Sequence, residues 1–389
     1  MMKLRPSCLL VLIVLMICLG LQACSALGTP PLIKAAAVGE ISEVESLLSQ
    51  GATVDASTKS GVTPLFAAAA NGHEAVVARL LEKGANANIP IEKPFVSEKW
   101  TLAKGATPLM AALAGGHAKI AENLLRHGAK VTVSDEKGFT PMMLASAYGD
   151  PKLVAACIEK GADVNAVSDK GVPPLIAAAA QGRPEMVRLL LAKKADPQAN
   201  VSEDFTYREV MVFAGGNALL AAAEAGDVKS LQMMIDAGVD VNSAAKNGTT
   251  ALMAAAAKGN LPAADLLIAQ GADVNARTIE TYTIGKHAVS KGSTALSGAA
   301  SAGHAEMVQF LISNGADVNA KDDDTDIDAL FLAGSEGHLE VVKILIDSGA
   351  NVYSETKMGS AFCAAEHYGH QDVADAIAEA RSQVKQKEE

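Results

Sequence analysis

Five aspartates crowd residues 322–328 of the 389-residue chain, in the run Lys321-Asp322-Asp323-Asp324-Thr325-Asp326-Ile327-Asp328. Clustered carboxylates are the hard oxygen ligands that Ca²⁺ takes, but the twelve-residue calcium loop needs Gly at position 6 and Glu at position 12. Counted from Asp322 those places hold Ile327 and Ala333. What remains is a loose cation site or a solvated acidic finger, with Asp328 better used as a helix N-cap. His367 and His370 lie three apart beside Glu366, yet Gly369 stops any helix between them, which spoils the geometry of a metal site. His73, His117, His304, His338 and His370 each follow a glycine directly. Such recurrence reads as structural capping of helix ends, whose backbone groups need polar partners. There is no G-x-x-x-x-G-K-S/T loop, no G-x-S-x-G elbow and no H-E-x-x-H pair. Without a grouped acid, base and nucleophile an enzyme is not expected, nor is a cofactor or a metal.

A different chemistry is written at the amino end, MMKLRPSCLLVLIVLMICLGLQACSALG. Lys3 and Arg5 precede an apolar run from Leu9 to Leu19, the layout of an export signal. The run is shorter than the ~20 residues of a membrane span. It ends in Leu21-Gln22-Ala23-Cys24, which resembles a bacterial lipobox. The resemblance implies removal of residues 1–23, lipidation of Cys24 and a short tether over residues 24–28. Ser25 after the cysteine implies sorting to the outer membrane. An ordinary secretory signal followed by a chance cysteine is the other reading. Cleavage would remove two of the 33 basic residues and none of the 44 acidic ones, moving the net charge from −11 to −13. That balance excludes the basic face of a nucleic-acid binder. Of the five cysteines, Cys157 and Cys363 lie far apart in apolar helical stretches. They read as small buried hydrophobes rather than a disulfide framework.

The elements that position these residues repeat. Gly39, Gly72, Gly116, Gly149, Gly182, Gly226, Gly259, Gly303, Gly337 and Gly369 follow Ala-rich stretches such as PLFAAAANGH, mostly 33 or 44 residues apart. A second series, Gly51, Gly84, Gly128, Gly161, Gly238, Gly271, Gly315 and Gly349, ends stretches such as EMVQFLISNG. Both series predict helix stops in the left-handed conformation. Starts are marked by Thr63-Pro64, Thr107-Pro108 and Thr140-Pro141, then by Asn217, Thr250, Thr294, Asp328 and Ser360 as N-caps. Four positions into each unit stands an alanine: Ala35, Ala68, Ala112, Ala145, Ala178, Ala222, Ala255, Ala299, Ala333 and Ala365. A small residue there lets neighbouring helices approach. The second helices carry an apolar stripe, as in Val76, Val77, Leu80 and Leu81, which one short pair cannot bury alone.

On these residues the chain resembles the ankyrin repeat family, whose ~33-residue units open T-P-L-H-x-A. Here the opening is Thr63-Pro64-Leu65-Phe66-Ala67-Ala68 or Thr107-Pro108-Leu109-Met110-Ala111-Ala112. The resemblance implies an all-α ankyrin-repeat solenoid of about ten helix pairs over residues 29–383, with β-hairpin fingers, and a charged tail at 384–389. The motif's His is replaced by Phe66, Met110, Met143, Ile176, Leu220, Met253, Ser297, Phe331 and Cys363. The hydrogen bonds it makes between repeats in the family are then expected to be missing. Lys194 stands where other units place Gly.

Three steps of 44 insert 11 residues each, lengthening the fingers at about 88–104, 200–214 and 278–291. Thr, Val, Ile and aromatics are enriched there, as in strands, and Gly285-Lys286 suits a hairpin tip. The fingers hold six of the chain's 14 aromatics: Phe95, Trp100, Phe205, Tyr207, Phe213 and Tyr282. The alternation in Phe205-Thr206-Tyr207 puts two rings on one face. These six are expected either to anchor a partner, since hot spots favour Trp and Tyr, or to prop the fingers internally. At a helix-packing spacing of ~10 Å, fingers two or three repeats apart should touch only by leaning strongly.

The function implied is a monomeric, lipid-anchored scaffold in the bacterial envelope. It would sit at the outer membrane facing the periplasm, binding a protein partner through its fingers and concave face. The alternative is a periplasmic immunity or inhibitor lipoprotein that neutralises a toxin or lipase. Loss of the partner's activity would distinguish it.

Overall fold

The computed structural model describes residues 29–97, 100–207, 210–284 and 287–388. The signal, the tether with Cys24 and the tip at Gly285-Lys286 lie outside the described residues, as does the side chain of Tyr207. The chain divides into two units, one ending at Asp169 and the other beginning at Lys170.

Among the described residues the first unit holds four helix pairs: α1 (Pro31–Val38) with α2 (Ile41–Ser49), α3 (Pro64–Asn71) with α4 (Glu74–Glu82), α5 (Pro108–Ala114) with α6 (Ala118–Arg126), and α7 (Pro141–Tyr148) with α8 (Pro151–Glu159). One hairpin, β1 (Phe95–Val96) with β2 (Thr101–Leu102), precedes α5. The second unit holds six pairs: α9 (Pro174–Ala180) with α10 (Pro184–Ala192), α11 (Ala218–Ala225) with α12 (Val228–Asp236), α13 (Ala251–Ala257) with α14 (Leu261–Ala269), α15 (Ala295–Ser301) with α16 (Ala305–Ser313), α17 (Ala329–Glu336) with α18 (Leu339–Asp347), and α19 (Ala361–Tyr368) with α20 (Gln371–Glu388). Its hairpins are β3 (Phe205–Tyr207) with β4 (Val210–Val212), β5 (Tyr282–Ile284) with β6 (His287–Val289), and the short β7 (Glu355–Thr356) with β8 (Gly359–Ser360). Within each unit the first helix of a pair packs on the first helix of the next, and the second helices do the same. This is the stacked architecture of a helical solenoid with hairpin fingers.

Local chemistry sets the boundaries. The side-chain oxygens of Thr63, Thr140, Asn217, Thr250, Thr294, Asp328 and Ser360 each accept the N–H three residues on. Thr107 departs from expectation: its backbone is extended like the others, but its hydroxyl makes no cap bond. Nine of the ten repeat alanines are 0% exposed and Ala35 is 5% exposed, so there is no room beside the first helices for anything larger. Gly149 is the one first-series glycine whose φ, −75°, is not left-handed. Asp150 follows it and caps α8 by accepting from Lys152 and Leu153 N–H.

The links between repeats have their own logic. In the D-V-N tripeptides, Asp240, Asp273 and Asp317 accept from the N–H of Asn242, Asn275 and Asn319, closing a turn. Each Asn then reaches the next repeat. Asn275 donates to the Gly315 carbonyl at 3.0 Å and accepts from Asp317 N–H at 2.8 Å. Asn88 does the same with Gly128 and Lys130. The histidines add a second bridge. Nε2 of His73, His304 and His338 donates to the carbonyls of Ala37, Ala257 and Ser301, at 2.9, 3.1 and 3.0 Å. They therefore cap the preceding repeat's first helix and make no side-chain bond to the helix they begin. Inter-repeat histidine bonds, expected to be missing, are thus supplied from a different position.

Cys157 is buried, and burial pushes its thiol up to about 11. Cys363 is exposed, contrary to expectation. It occupies the position of Phe66 and Met110, but α19 is the last first helix, and none follows among the described residues to cover that face. Lys194 adopts φ +66°, as the glycines at this position do. An L-residue in that region carries ~1–2 kcal/mol of strain, while Gly adds freedom to the unfolded chain. Lys194→Gly is therefore expected to leave the thermal midpoint unchanged or to raise it by a few degrees. A clear fall would show that the Lys194 side chain stabilises this turn.

Candidate protein-binding surface

The first finger folds back onto its own repeats. Phe95 pairs with Leu102 and Val96 with Thr101. The Phe95 ring meets the buried Phe66 of α3 edge-on at 5.3 Å, and Trp100 stacks on Phe95 at 5.7 Å. The hairpin's near face is thus tied to a first helix, while Val96 points away, 68% exposed. Phe95 and Trp100 are half-buried.

The second finger pairs Phe205 with Val212, Thr206 with Met211 and Tyr207 with Val210. Phe205 and Phe213 are 7% and 6% exposed, so both rings belong to the finger's base. The third finger pairs Tyr282 with Val289. Tyr282 leans across the intervening repeat to meet Phe213 edge-on, centroids 4.7 Å apart. The spacing of the repeats had argued against such reach. The 11-residue insertion supplies it, and the Tyr282 hydroxyl is fixed by accepting from Thr249 Oγ1 at 3.0 Å. Burial raises the Tyr282 pKa, and the nearby Glu224 charge raises it further against the opposing Thr249 bond. Glu224 is itself raised by burial, partly offset by its ion pair with Lys258 at 3.1 Å.

Beneath this finger lies a hollow of about 360 Å³, within the range of ligand pockets (~300–1,000 Å³). Met211, Phe213 and Tyr282 form one wall, Ile327 and Leu332 the other. Its floor is Ala254 and Ala257 of α13 with Ser297, Gly298 and Ser301 of α15. The hollow follows directly from the sequence. Where four of the other five repeats of this unit carry Ile176, Leu220, Met253 or Phe331, and the last carries Cys363, this repeat carries Ser297.

The aspartate run is divided among several tasks, and Asp323 pairs with Arg277 and Lys291. Asp322 accepts from Asp324 N–H, Thr325 N–H and Thr325 Oγ1, and Asp328 caps α17. Among the described residues no three His, Cys, Asp or Glu side chains converge as metal ligands. None of the described helices is long and apolar enough to cross a membrane.

Stacked helix pairs offering hairpins and a shallow apolar hollow define a binding module built from repeats. A family model for ankyrin repeats, three copies long, matches residues 7–91, 92–168, 109–201, 175–278, 219–322, 277–356 and 296–388, and the chain belongs to that family. Ankyrin repeats generally mediate protein–protein interaction and are typically scaffolds without catalysis. No curated protein matches the chain.

Proposed function

We propose that the protein is an envelope-anchored ankyrin scaffold that holds a protein partner against its fingers and concave face. Residues 1–23 act as the export signal. Cys24 carries the acyl chains that anchor the protein, residues 24–28 are the tether, 29–383 the solenoid and 384–389 the tail. The protein works as a monomer at the outer membrane, facing the periplasm. Several acyl chains give stable anchoring where one gives marginal affinity. A partner with a basic face suits the net charge of −11, or −13 after cleavage of Lys3 and Arg5.

One observation carries the binding reading. Trp100 on the first finger and Tyr282 on the third are held by neighbouring rings yet remain half-exposed. Rigid, partly open aromatics are what interfaces use as anchors. Phe205 and Phe213 prop their finger, while Phe95 does both. The test isolates the tagged full-length chain from detergent-solubilised envelope membranes, beside a Trp100→Ala/Tyr282→Ala chain. A partner should co-purify with the first and be lost from the second, with both melting cooperatively. A partner retained unchanged would remove the fingers from the binding surface. A chain absent from the membrane fraction would sink the anchor.

A further inference from the structure

Gly298 lies in the middle of helix α15. Glycine there costs ~1 kcal/mol relative to alanine, and natural helices keep such a residue for packing or for function. Packing explains the comparable Gly334 of α17: a Cβ there would sit 3.1 Å from the Ala361 carbonyl oxygen. It does not explain Gly298, where a Cβ would meet only Ala257 Cβ, at 3.8 Å. The space above Gly298 is the hollow under the third finger. Ser297 beside it spends its hydroxyl within its own turn, donating to the Thr294 carbonyl and accepting from Thr294 N–H. Ser297 thereby closes a capping box with Thr294, so Gly298 alone keeps the slot open at a cost in local stability.

The repeats themselves specify what fits. In six described first helices the position of Ser297 holds Phe66, Met110, Met143, Ile176, Leu220 or Phe331, all at most 5% exposed. The vacancy in α15 is the place such a side chain would take. The walls continue that chemistry with the Tyr282 and Phe213 rings, Ile327 and Leu332. The charges around the mouth are unevenly used. Lys258 pairs with Glu224, and Arg277 and Lys291 pair with Asp323. Lys321 and Lys357 donate to the carbonyls of Glu355 and Asp324. Glu280, between the lining Thr278 and Tyr282, and Asp326, next to the lining Ile327, are exposed and make no ion pair among the described residues. Among the described residues these five cations are committed while these two carboxylates stand open, on a chain of net charge −11. A second copy would bring like charge to the same place, whereas a basic segment complements it.

We propose that this hollow is a socket for one bulky apolar side chain, Leu, Met or Phe, borne on a Lys- or Arg-containing segment of a partner protein. The proposal rests on the scaffold reading and names the chemistry of the partner. The test pans a phage library of random dodecapeptides against the full-length chain, then measures the enriched peptides by fluorescence anisotropy. Enriched peptides should share one Leu, Met or Phe within two residues of Lys or Arg. Ser297→Met restores the repeat's own filler, and Gly298→Leu fills the slot from the floor. Each should weaken peptide binding at least tenfold while melting no more than a few degrees below the parent. As a second readout, Gly298→Ala, which improves the helix and fills little, should melt above the parent and still bind within threefold. Enriched peptides lacking the pattern, no enrichment, or equal binding by the filled variants would each overturn the socket. If the envelope partner still depends on Trp100 and Tyr282, the scaffold survives that failure. If the filled variants lose the peptides but keep that partner, the socket stands and serves another segment.

Discussion

Gly303→Val should destabilise the second unit by about 3 kcal/mol, combining left-handed strain with a lost hydrogen bond. Gly303 ends α15 at φ +75°. A Cβ there would lie 2.7 Å from Cε1 and Nδ1 of His338. The same histidine donates through Nε2 to the Ser301 carbonyl at 3.0 Å. One substitution therefore acts three times. An L-residue in the left-handed region costs ~1–2 kcal/mol, and a β-branched one sits there worst. The imidazole must also move, and its inter-repeat bond, worth ~1 kcal/mol net, goes with it. For a unit of this size the thermal midpoint should fall by roughly 6–12 °C. Gly315→Val separates the contributions. Gly315 has φ +91°, but nothing lies within 4 Å of its Cβ position, so only the backbone strain remains. In a His338→Ala background the excess cost of Gly303→Val over Gly315→Val should shrink, as for any pair in contact. Equal costs at Gly303 and Gly315 would dismiss the Gly–His contact.

That contact marks where the sequence was readable and where it was not. Helix ends were legible because capping is local: Thr63, Asn217 and Asp328 act within three residues of themselves. The alanine positions were legible because close packing imposes the same demand on every repeat. The direction of the histidine bonds was not. A histidine after a glycine could cap its own helix or the one behind it, and only the offset between repeats decides. The link asparagine is the same case, as Asn88 and Asn275 find their partners about 40 residues on in the longer steps. Finger inclination was hidden more deeply. An insertion of fixed length leaves the tilt to a few contacts, here Phe213 with Tyr282 and Thr249 with Tyr282. Cys363 misled because its neighbours are as apolar as those of Cys157. What exposes it is the lack of a following first helix among the described residues. The hollow was written in Ser297 and Gly298, but as a missing bulk, which shows only once the stack is assembled.

The alanine rule allows a sharper test. Ala178→Leu should lower the midpoint by an amount matching ~1–3 kcal/mol, the usual cost of overpacking. Ala178 is 0% exposed in α9, which packs against α10 and α11. Leucine is an excellent helix former, so local propensity cannot account for a loss. Three added carbons must instead part α9 from its neighbours or take a poor rotamer. Interiors near crystal packing density leave no slack to absorb them. In a repeat array stability is approximately a sum of repeat terms and nearest-neighbour interface terms. The damage should therefore fall on the interface of α9 with α11 and broaden the transition as well as shift it. Ala192→Leu is the matched control. It makes the same change at the exposed end of α10, where surface substitutions stay within about 0.5 kcal/mol. Calorimetry on the two variants decides the matter. A midpoint for Ala178→Leu no lower than for Ala192→Leu would mean that the repeated alanines follow helix preference rather than helix approach, and the packing register would fall with it.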